Sequence, residues 1–467
     1  MAEFAPTLAS LLDYECPTWF RDAKFGIYIH WGPYSVPERG EWYVRHMYME
    51  GHPDYLHHCR TWGHPSEFGY KDFVPLWKAE HWDPDALVAL FKRAGARYFT
   101  PCAIHHDNFD LWDSKHHKWN SVNMGPKKDI IGLWREATLA QGLRFGVTTH
   151  LSRSFSWMQT NKGADQSGPK QGVPYDGNDP AYRDLYHEPH ADMDRRQPAN
   201  APESWRRQWA ARIKDLIDHY HPDHLYFDGA IPFRGRDGGR TGMGVLAHLY
   251  NDSLAQHDGR LEAVMCIKRG GGTHGLYAEG VATLDIERGR ADQVLADPWQ
   301  TDTSIGPWGY RAGAAYRPVT ELVHELVDIV SKNGNVLLNV PPKADGTLDD
   351  ATVATLEGIG NWLGVNGEAI YGTRPWLAFS EGDLRFTRKA GTLYVTALAW
   401  PAAGATLNVR SLGLDEGIGP IAQVALLGGD GTLRWGQDQD MLRIVIPETL
   451  PCDHALGFRV EFAGDPA

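Results

Sequence analysis

Cysteine is scarce and scattered in this sequence. Cys16, Cys59, Cys102, Cys266 and Cys452 are odd in number, widely spaced and free of any CxxC pair, which excludes a zinc ribbon or a disulfide framework. Such usage favours a reducing compartment and hence a cytoplasmic location, or a secreted or periplasmic one if a signal peptide has been removed. The opening "MAEFAPTLASLLDYECPTWF" lacks a basic segment ahead of a long apolar one, and nowhere do 18 apolar residues run together. No membrane partner is expected. Positive charge is also in short supply: 46 Lys and Arg face 59 Asp and Glu, for a formal charge of −13, and no Lys/Arg cluster stands out. A nucleic-acid footprint is thereby excluded. No GxGxxG or GxxxxGK[ST] accompanies the first strand-like run, which removes the signature of a nucleotide-binding fold, and no GxSxG elbow offers serine chemistry.

What the chain has in abundance is tryptophan and histidine, 18 and 22 residues. Neither is needed merely to fill a core; indole faces suit stacking on sugar rings, and imidazoles suit hydroxyls or metal. To about residue 365, strand-like runs alternate with helical segments. "KFGIYIHW" is followed by "DPDALVALFKRAGA", where Asp83 can cap a helix and Pro84 suits its first turn. The same alternation continues through "RYFTPCAIHH", "DIIGLWREATLAQG", "LRFGVTTH", "SWRRQWAARIKDLIDHY" and "HLYFDG". Apolar runs follow in "LEAVMCIK", "VATLDIE" and, after "VTELVHELVDIVSKNG", in "NVLLNV". Seven or eight such units predict a (β/α)8-like TIM barrel. From about residue 377, short alternating runs such as "DLRFTRKAGTLYVTALAW" and "MLRIVIPE" predict a C-terminal antiparallel β-sandwich. The expected domains are 1–376 and 377–467.

Barrel enzymes build their sites from the C-terminal ends of the strands. In this chain those ends carry His30-Trp31, His105-His106-Asp107, His150, Asp228, Lys268-Arg269 and Glu287. "KFGIYIHWGPYS" shows the pattern: an apolar strand delivers His30 to a Gly-Pro turn, at the mouth of the barrel. Packing offers a competing account of each residue. His30 can be a core histidine, Asp228 a turn cap beside Gly229, and Glu287 the partner of Arg288; adjacent His105 and His106 must diverge if extended. A carboxylate behind the apolar "LYF" is nevertheless costly without a purpose. Metal-dependent barrel hydrolases place an HxH pair on the first strand and further His ligands on strands five and six. His30-Trp31, Lys268 and Glu287 are the wrong set, so no metal or other cofactor is expected. A pair of carboxylates among His and Trp remains, the equipment for glycoside hydrolysis.

"WFRDAKFGIYIHWGPYSVPERGEWY", "HHDNFDLWDSK", "GPKKDIIGLWREA", "LYFDG", "PWQTDTSIGPWGY" and "VDIVSKNGNVLLNVPPKADGTL" resemble, in this order, the blocks of glycoside hydrolase family 29, the retaining α-L-fucosidases. The resemblance spans roughly residues 15–372 and implies a barrel followed by a β-sandwich. It implies Asp228 as nucleophile and His30, Glu41, Trp42, His105 and His106 as contacts to the hydroxyls and apolar face of fucose. Glu287, in "TLDIERG", resembles the acid/base of one branch. The sequence departs from the family at "HHDNF", at "TTHLS", where His150 stands in for a usual tyrosine, and at "CIKRGG", where Lys268 falls. Asp285 is expected to supply an anionic field that keeps Glu287 protonated, and Phe25, Trp299 or Trp308 an apolar pocket for the C5 methyl. The implied partner is a fucosylated oligosaccharide or glycoconjugate. Related α-L-galactosidase activity, a metal-dependent barrel hydrolase and a sugar-binding protein without catalysis are the alternatives weighed.

Overall fold

β1 (Phe25–Ile29) is buried along its whole length and pairs in parallel with strands on either side, as a near-continuous apolar run should. The computed structural model describes residues 3–193, 196–270 and 275–464. The barrel strands that follow are β2 (Tyr98–Ile104), β3 (Arg144–Thr149), β4 (His224–Phe227), β5 (Val264–Lys268), β6 (Thr283–Asp285), β7 (Trp299–Ser304) and β8 (Gly334–Asn339). They close in sequential order into an eight-stranded parallel barrel. One of them, β7, is absent from the runs that periodicity picks out, because Gln300, Asp302 and Ser304 make it polar. It is fully buried even so.

Helices α1 (Pro84–Arg93), α2 (Ile130–Ala140), α3 (Glu203–Tyr220), α4 (Arg240–Gln256), α5 (Val319–Ser331) and α6 (Asp350–Asn366) complete the barrel domain's long helices. α1 begins as its sequence dictates: the Asp83 side chain accepts the Ala86 N–H and Pro84 occupies the first turn. Asp129 caps α2 in the same way. Among the described residues no helix covers the stretch from β5 to β7.

The barrel interior is filled by Tyr28, Tyr98, Tyr226, Val264, Cys266 and Leu337, with Phe20 and Ala23 packed against them. Gly26 makes room for this layer, since a Cβ there would meet the Tyr98 ring at 2.3 Å. The tyrosine hydroxyls reach polar groups of β7: Tyr28 and Tyr226 donate to Asp302, and Tyr98 to Gln300.

The second domain has a five-stranded antiparallel sheet made of β9 (Arg374–Glu381), β10 (Leu384–Lys389), β11 (Thr392–Ala397), β13 (Ile421–Leu426) and β16 (Leu456–Phe462). β12 (Thr406–Val409), β14 (Trp435–Gln437) and β15 (Leu442–Val445) form a second sheet. Phe386, Val395, Leu442, Ile444 and Phe458 are among the residues of the core between them. β9 starts at Arg374, so the boundary expected at 376 falls inside a strand. The sandwich docks on α5 and α6: Arg385 Nε donates to Asp328 at 2.6 Å, and Trp362 Nε1 to the Ala455 carbonyl at 2.9 Å. Among the described residues no helix is long and apolar enough to cross a membrane.

Candidate active site

The C-terminal ends of the barrel strands converge on one cavity. His30 follows β1, His105 and His106 follow β2, His150 follows β3, Asp228 follows β4, Lys268 ends β5 and Glu287 comes two residues after β6; all line it. Glu41, Trp42 and Trp308 complete the wall from the loops after β1 and β7. Three lining residues escaped the sequence reading: Tyr28, Arg153 and Asp302. Arg153 directly follows "TTHLS" and Asp302 lies in "PWQTDTS", segments singled out for other reasons.

Trp299 does not belong to this site, and neither does Phe25. Trp299 begins β7, at the far end of the strand, where its Nε1 donates to the Lys332 carbonyl at 2.9 Å. Six residues of strand carry it about 16 Å from the mouth. Phe25 begins β1 for the same reason. Of the expected apolar pocket, Trp308 alone lines the cavity.

Both His105 and His106 face the cavity, with rings 4.3 Å apart. The pleat argument fails because β2 loses register with β3 between Cys102 and Ile104 and the chain leaves the strand at Ile104. His106 Nδ1 bonds the His150 carbonyl at 2.8 Å, and its Nε2 lies 3.5 Å from Asp228. His30 Nδ1 bonds Asn339 Oδ1 at 2.9 Å. Burial, with His150 nearby, pushes His30 down to about 3, and burial with neighbouring charges also keeps His105 and His106 neutral. The His105 Nδ1 is buried without a protein partner. Neutral imidazoles with one nitrogen fixed leave the other free to donate to, or accept from, a hydroxyl.

Asp228 is 8% exposed and ringed by cations. Lys268 Nζ donates to it at 2.6 Å, Arg153 Nη2 lies 3.5 Å away and His150 Nδ1 3.3 Å away. Burial alone would favour the acid, but Arg153, Lys268 and His150 hold its carboxyl well below the usual range. For His150, burial opposes a charge while Cys102 and the Asp228 carboxylate favour it, and the ring is pushed up to about 10.

Two groups, His30-His105-His150 and His106-His150-Asp228, bring ligand-type atoms within 4.8 Å of one another, close enough for a cation. Both contain His150, whose Nδ1 already faces Asp228 at 3.3 Å. Asp228 already faces an ammonium at 2.6 Å. The donor set fits sugar hydroxyls better than a metal ion.

Glu287 does not pair with Arg288. The Arg288 guanidinium lies 4.4 Å from the centre of the Trp308 ring and donates to the Gly306 carbonyl, whereas Glu287 Oε2 accepts from Lys268 Nζ at 2.7 Å. Asp285 supplies no anionic field either. It is buried beside Asp302, with Gln300 donating to its Oδ1, and burial together with Asp302 raises its carboxyl into the neutral form. Glu41 is buried as well, which raises its carboxyl, while its Oε2 accepts the Gly309 N–H at 2.8 Å.

One ammonium thus touches two carboxylates. Both bonds end on the same nitrogen, so the oxygens lie no further apart than bonds of 2.6 and 2.7 Å laid end to end, about 5.3 Å. Carboxyl groups about 5–5.5 Å apart are characteristic of retaining glycosidases, and a gap of about 6.5–9.5 Å of inverting ones.

Known proteins resemble this one over the whole chain. Residues 1–368 match the Alpha-L-fucosidase family model, and residues 379–461 match the Alpha-L-fucosidase C-terminal domain. The chain is 30% identical over 463 residues to the tissue alpha-L-fucosidase of Homo sapiens, covering 96% of this chain and 89% of that one. To the plasma alpha-L-fucosidase of Homo sapiens it is 31% identical over 475 residues, covering 96% and 90%. Its fold superposes on the crystal structure of Thermotoga maritima alpha-fucosidase in complex with a mechanism-based inhibitor with a TM-score of 0.77, at 29% identity, covering 98% of this chain and 100% of that one. The same enzyme in complex with fucose gives a TM-score of 0.74 at 30% identity, covering 97% and 99%. With both domains matched and the barrel mouth built from paired carboxylates among imidazoles and indoles, the chain belongs to the α-L-fucosidase family, glycoside hydrolase family 29, and is a retaining glycoside hydrolase.

Proposed function

We propose that this protein hydrolyses terminal α-L-fucosides of oligosaccharides or glycoconjugates by double displacement, with Asp228 as nucleophile and Glu287 as acid/base. The observation that carries the residue assignment is the shared contact of both carboxylates with Lys268. Asp228 is ionised before the sugar enters and sits at the closed end of the cavity, 8% exposed. Glu287, with its side chain 44% exposed, faces the opening through which a leaving group departs. In the first step Asp228 attacks the anomeric carbon while Glu287 gives its proton to the leaving oxygen; in the second, Glu287 takes a proton from water, which displaces the ester. Configuration is retained. His30, His105, His106, His150 and Glu41 are placed to read hydroxyls, and Trp42 and Trp308 to cover apolar faces. Five free cysteines support a reducing compartment, the cytoplasm, or a secreted or periplasmic location if a signal peptide has been removed.

The test is a panel of aryl glycosides at matched concentration, with the anomer first released followed by NMR. Turnover of the α-L-fucoside with α-L-fucose as first product is expected. Release from aryl β-D-sugars but not from the α-L-fucoside overturns the reading. An α-L-galactoside adds one hydroxyl at C6, and an apolar wall such as Trp308 rejects it by only about 1–3 kcal/mol. A kcat/KM about 10–200-fold lower is expected for it.

A further inference from the structure

Lys268 has more to do than touch a sugar. Among the described residues its ammonium is the one group bonded to both reacting carboxylates, at 2.6 Å to Asp228 and 2.7 Å to Glu287. A third carboxylate, Asp302 Oδ2, lies 3.9 Å behind it. Asp302 is itself fixed by the Tyr28 and Tyr226 hydroxyls at 3.2 and 3.0 Å. Beyond it stands Asp285, held by Gln300. The ammonium is therefore pinned from the barrel interior at a point between nucleophile and acid/base.

That midpoint matters because the reaction moves one negative charge from one carboxylate to the other. Before attack, the charge is on Asp228 and the proton on Glu287. During the first step a bond forms from Asp228 to the anomeric carbon, the bond to the leaving oxygen breaks, and the Glu287 proton goes to that oxygen. Asp228 is now a neutral ester and Glu287 carries the charge; attack by water reverses both changes. We propose that Lys268, seated on the buried Asp302–Asp285 pair, is the counter-charge common to both half-reactions, stabilising whichever carboxylate is ionised. This proposal rests on the fucosidase reading of the site.

The groups facing Lys268 permit the role. From β1 and the residue after it come Tyr28 and His30, from β3 and the turn after it His150 and Arg153, from β4 and the residue after it Tyr226 and Asp228, from β6 Asp285 and from β7 Asp302. Burial keeps Tyr28 and Tyr226 protonated and His30 uncharged. Asp285 is neutral. His150 and Arg153 serve Asp228. Arg269, next in sequence, turns to the Tyr277 ring at 6.0 Å. When the charge moves to Glu287, the Lys268 ammonium is its bonded cation among the described residues.

The experiment is the pH dependence of kcat/KM and kcat of full-length Lys268→Gln, Lys268→Met and Lys268→Arg on an activated aryl α-L-fucoside, with thermal unfolding of each variant recorded. In the two neutral variants the alkaline limb, which reports loss of the acid/base proton, is expected to move up by about one pH unit or more, because a bonded cation no longer favours the ionised form. Their kcat falls about 10–100-fold in acid, where the ester waits for an ionised base, and a burst of aryl alcohol precedes the steady state. Lys268→Arg, which keeps the charge, leaves the limb closer to the parent's than either neutral variant does. Two neutral variants guard against one failing to fold. A folded neutral variant with raised KM but unmoved limbs and no burst overturns the proposal and leaves Lys268 a sugar contact. A parent enzyme inert on the fucoside refutes the fucosidase reading instead.

Discussion

At the scale of single residues, each catalytic role has a chemical signature. Asp228→Asn should lower kcat roughly 10³–10⁵-fold, since the amide cannot form the ester that the carboxylate at the base of the cavity forms. A variant keeping a tenth of the parent rate excludes Asp228 as nucleophile. Glu287→Ala should cripple substrates with poor leaving groups while an activated aryl fucoside still forms the glycosyl-enzyme. Azide then restores turnover as α-L-fucosyl azide, entering on the face the leaving group vacated; with Asp228→Gly it takes the nucleophile's place and gives the β anomer. Equal losses on both substrate types, with azide inert, remove Glu287 from the mechanism. A residue outside the site carries a different signature. Lys24 is fully buried, its Nζ has no hydrogen-bond partner, and burial chiefly, with Arg374 nearby, pushes it down to about 7. Between pH 7 and the unfolded value near 10.5 the unfolded chain binds the extra proton, so stability rises with pH across that window. Lys24→Met should exceed the parent in stability at pH 7 and below, and the gap in Tm should close as pH approaches 10. A pH-independent gap contradicts a buried, titrating Lys24.

Individual elements show how the barrel makes room for chemistry. β7 carries Gln300, Asp302 and Ser304 into a fully buried strand. Their partners come from β1, β4, β6 and β8: Tyr28, Tyr226, Asp285 and Asn339. A polar strand can be buried at little cost when neighbours satisfy it. β1 contributes by omission. Its Gly26 stands beside Tyr98 in register, and a methyl there would overlap the ring at 2.3 Å. Gly26→Ala should cost about 1–3 kcal/mol in urea unfolding and disturb the tyrosines under Asp302. Unchanged stability shows that Tyr98 can step aside.

For the whole molecule, the seam between barrel and sandwich depends on Asp328. This α5 carboxylate is buried and accepts from Arg385 of β10 at 2.6 Å and from Lys332 at 2.8 Å. Burial favours its neutral form, but Lys332 and Arg385 lower it below its ordinary value of 3.8. Its contribution is therefore present above about pH 4 and lost as pH falls further. Asp328→Ala strands two cations and should cost about 3–5 kcal/mol, read as a fall in Tm at neutral pH. Activity per folded molecule at low temperature should be unchanged, because the seam lies on the helical shell and the chemistry at the strand ends. A variant with normal Tm demotes the seam to a surface contact.

The sequence by itself determined the architecture and much of the site. Apolar runs such as Phe25–Ile29 and capped amphipathic segments such as that following Asp83 encode strand and helix locally, and a barrel puts every strand's C-terminal end on one face, so His30, His150 and Asp228 could be named from position alone. Tertiary structure decided what pattern cannot carry. Trp299 and Trp308 look equally apt in sequence, yet the start of β7 and the loop beyond its end lie at opposite ends of the barrel. β7 itself was hidden because polarity reads as exposure until Tyr28, Tyr226 and Asp285 are seen to satisfy it. Arg288 adjoins Glu287 in the chain but stacks on Trp308, while Lys268, on another strand, takes the carboxylate. Pairing of charges depends on distance in space, which the closure of the barrel sets and the order of residues along one strand does not.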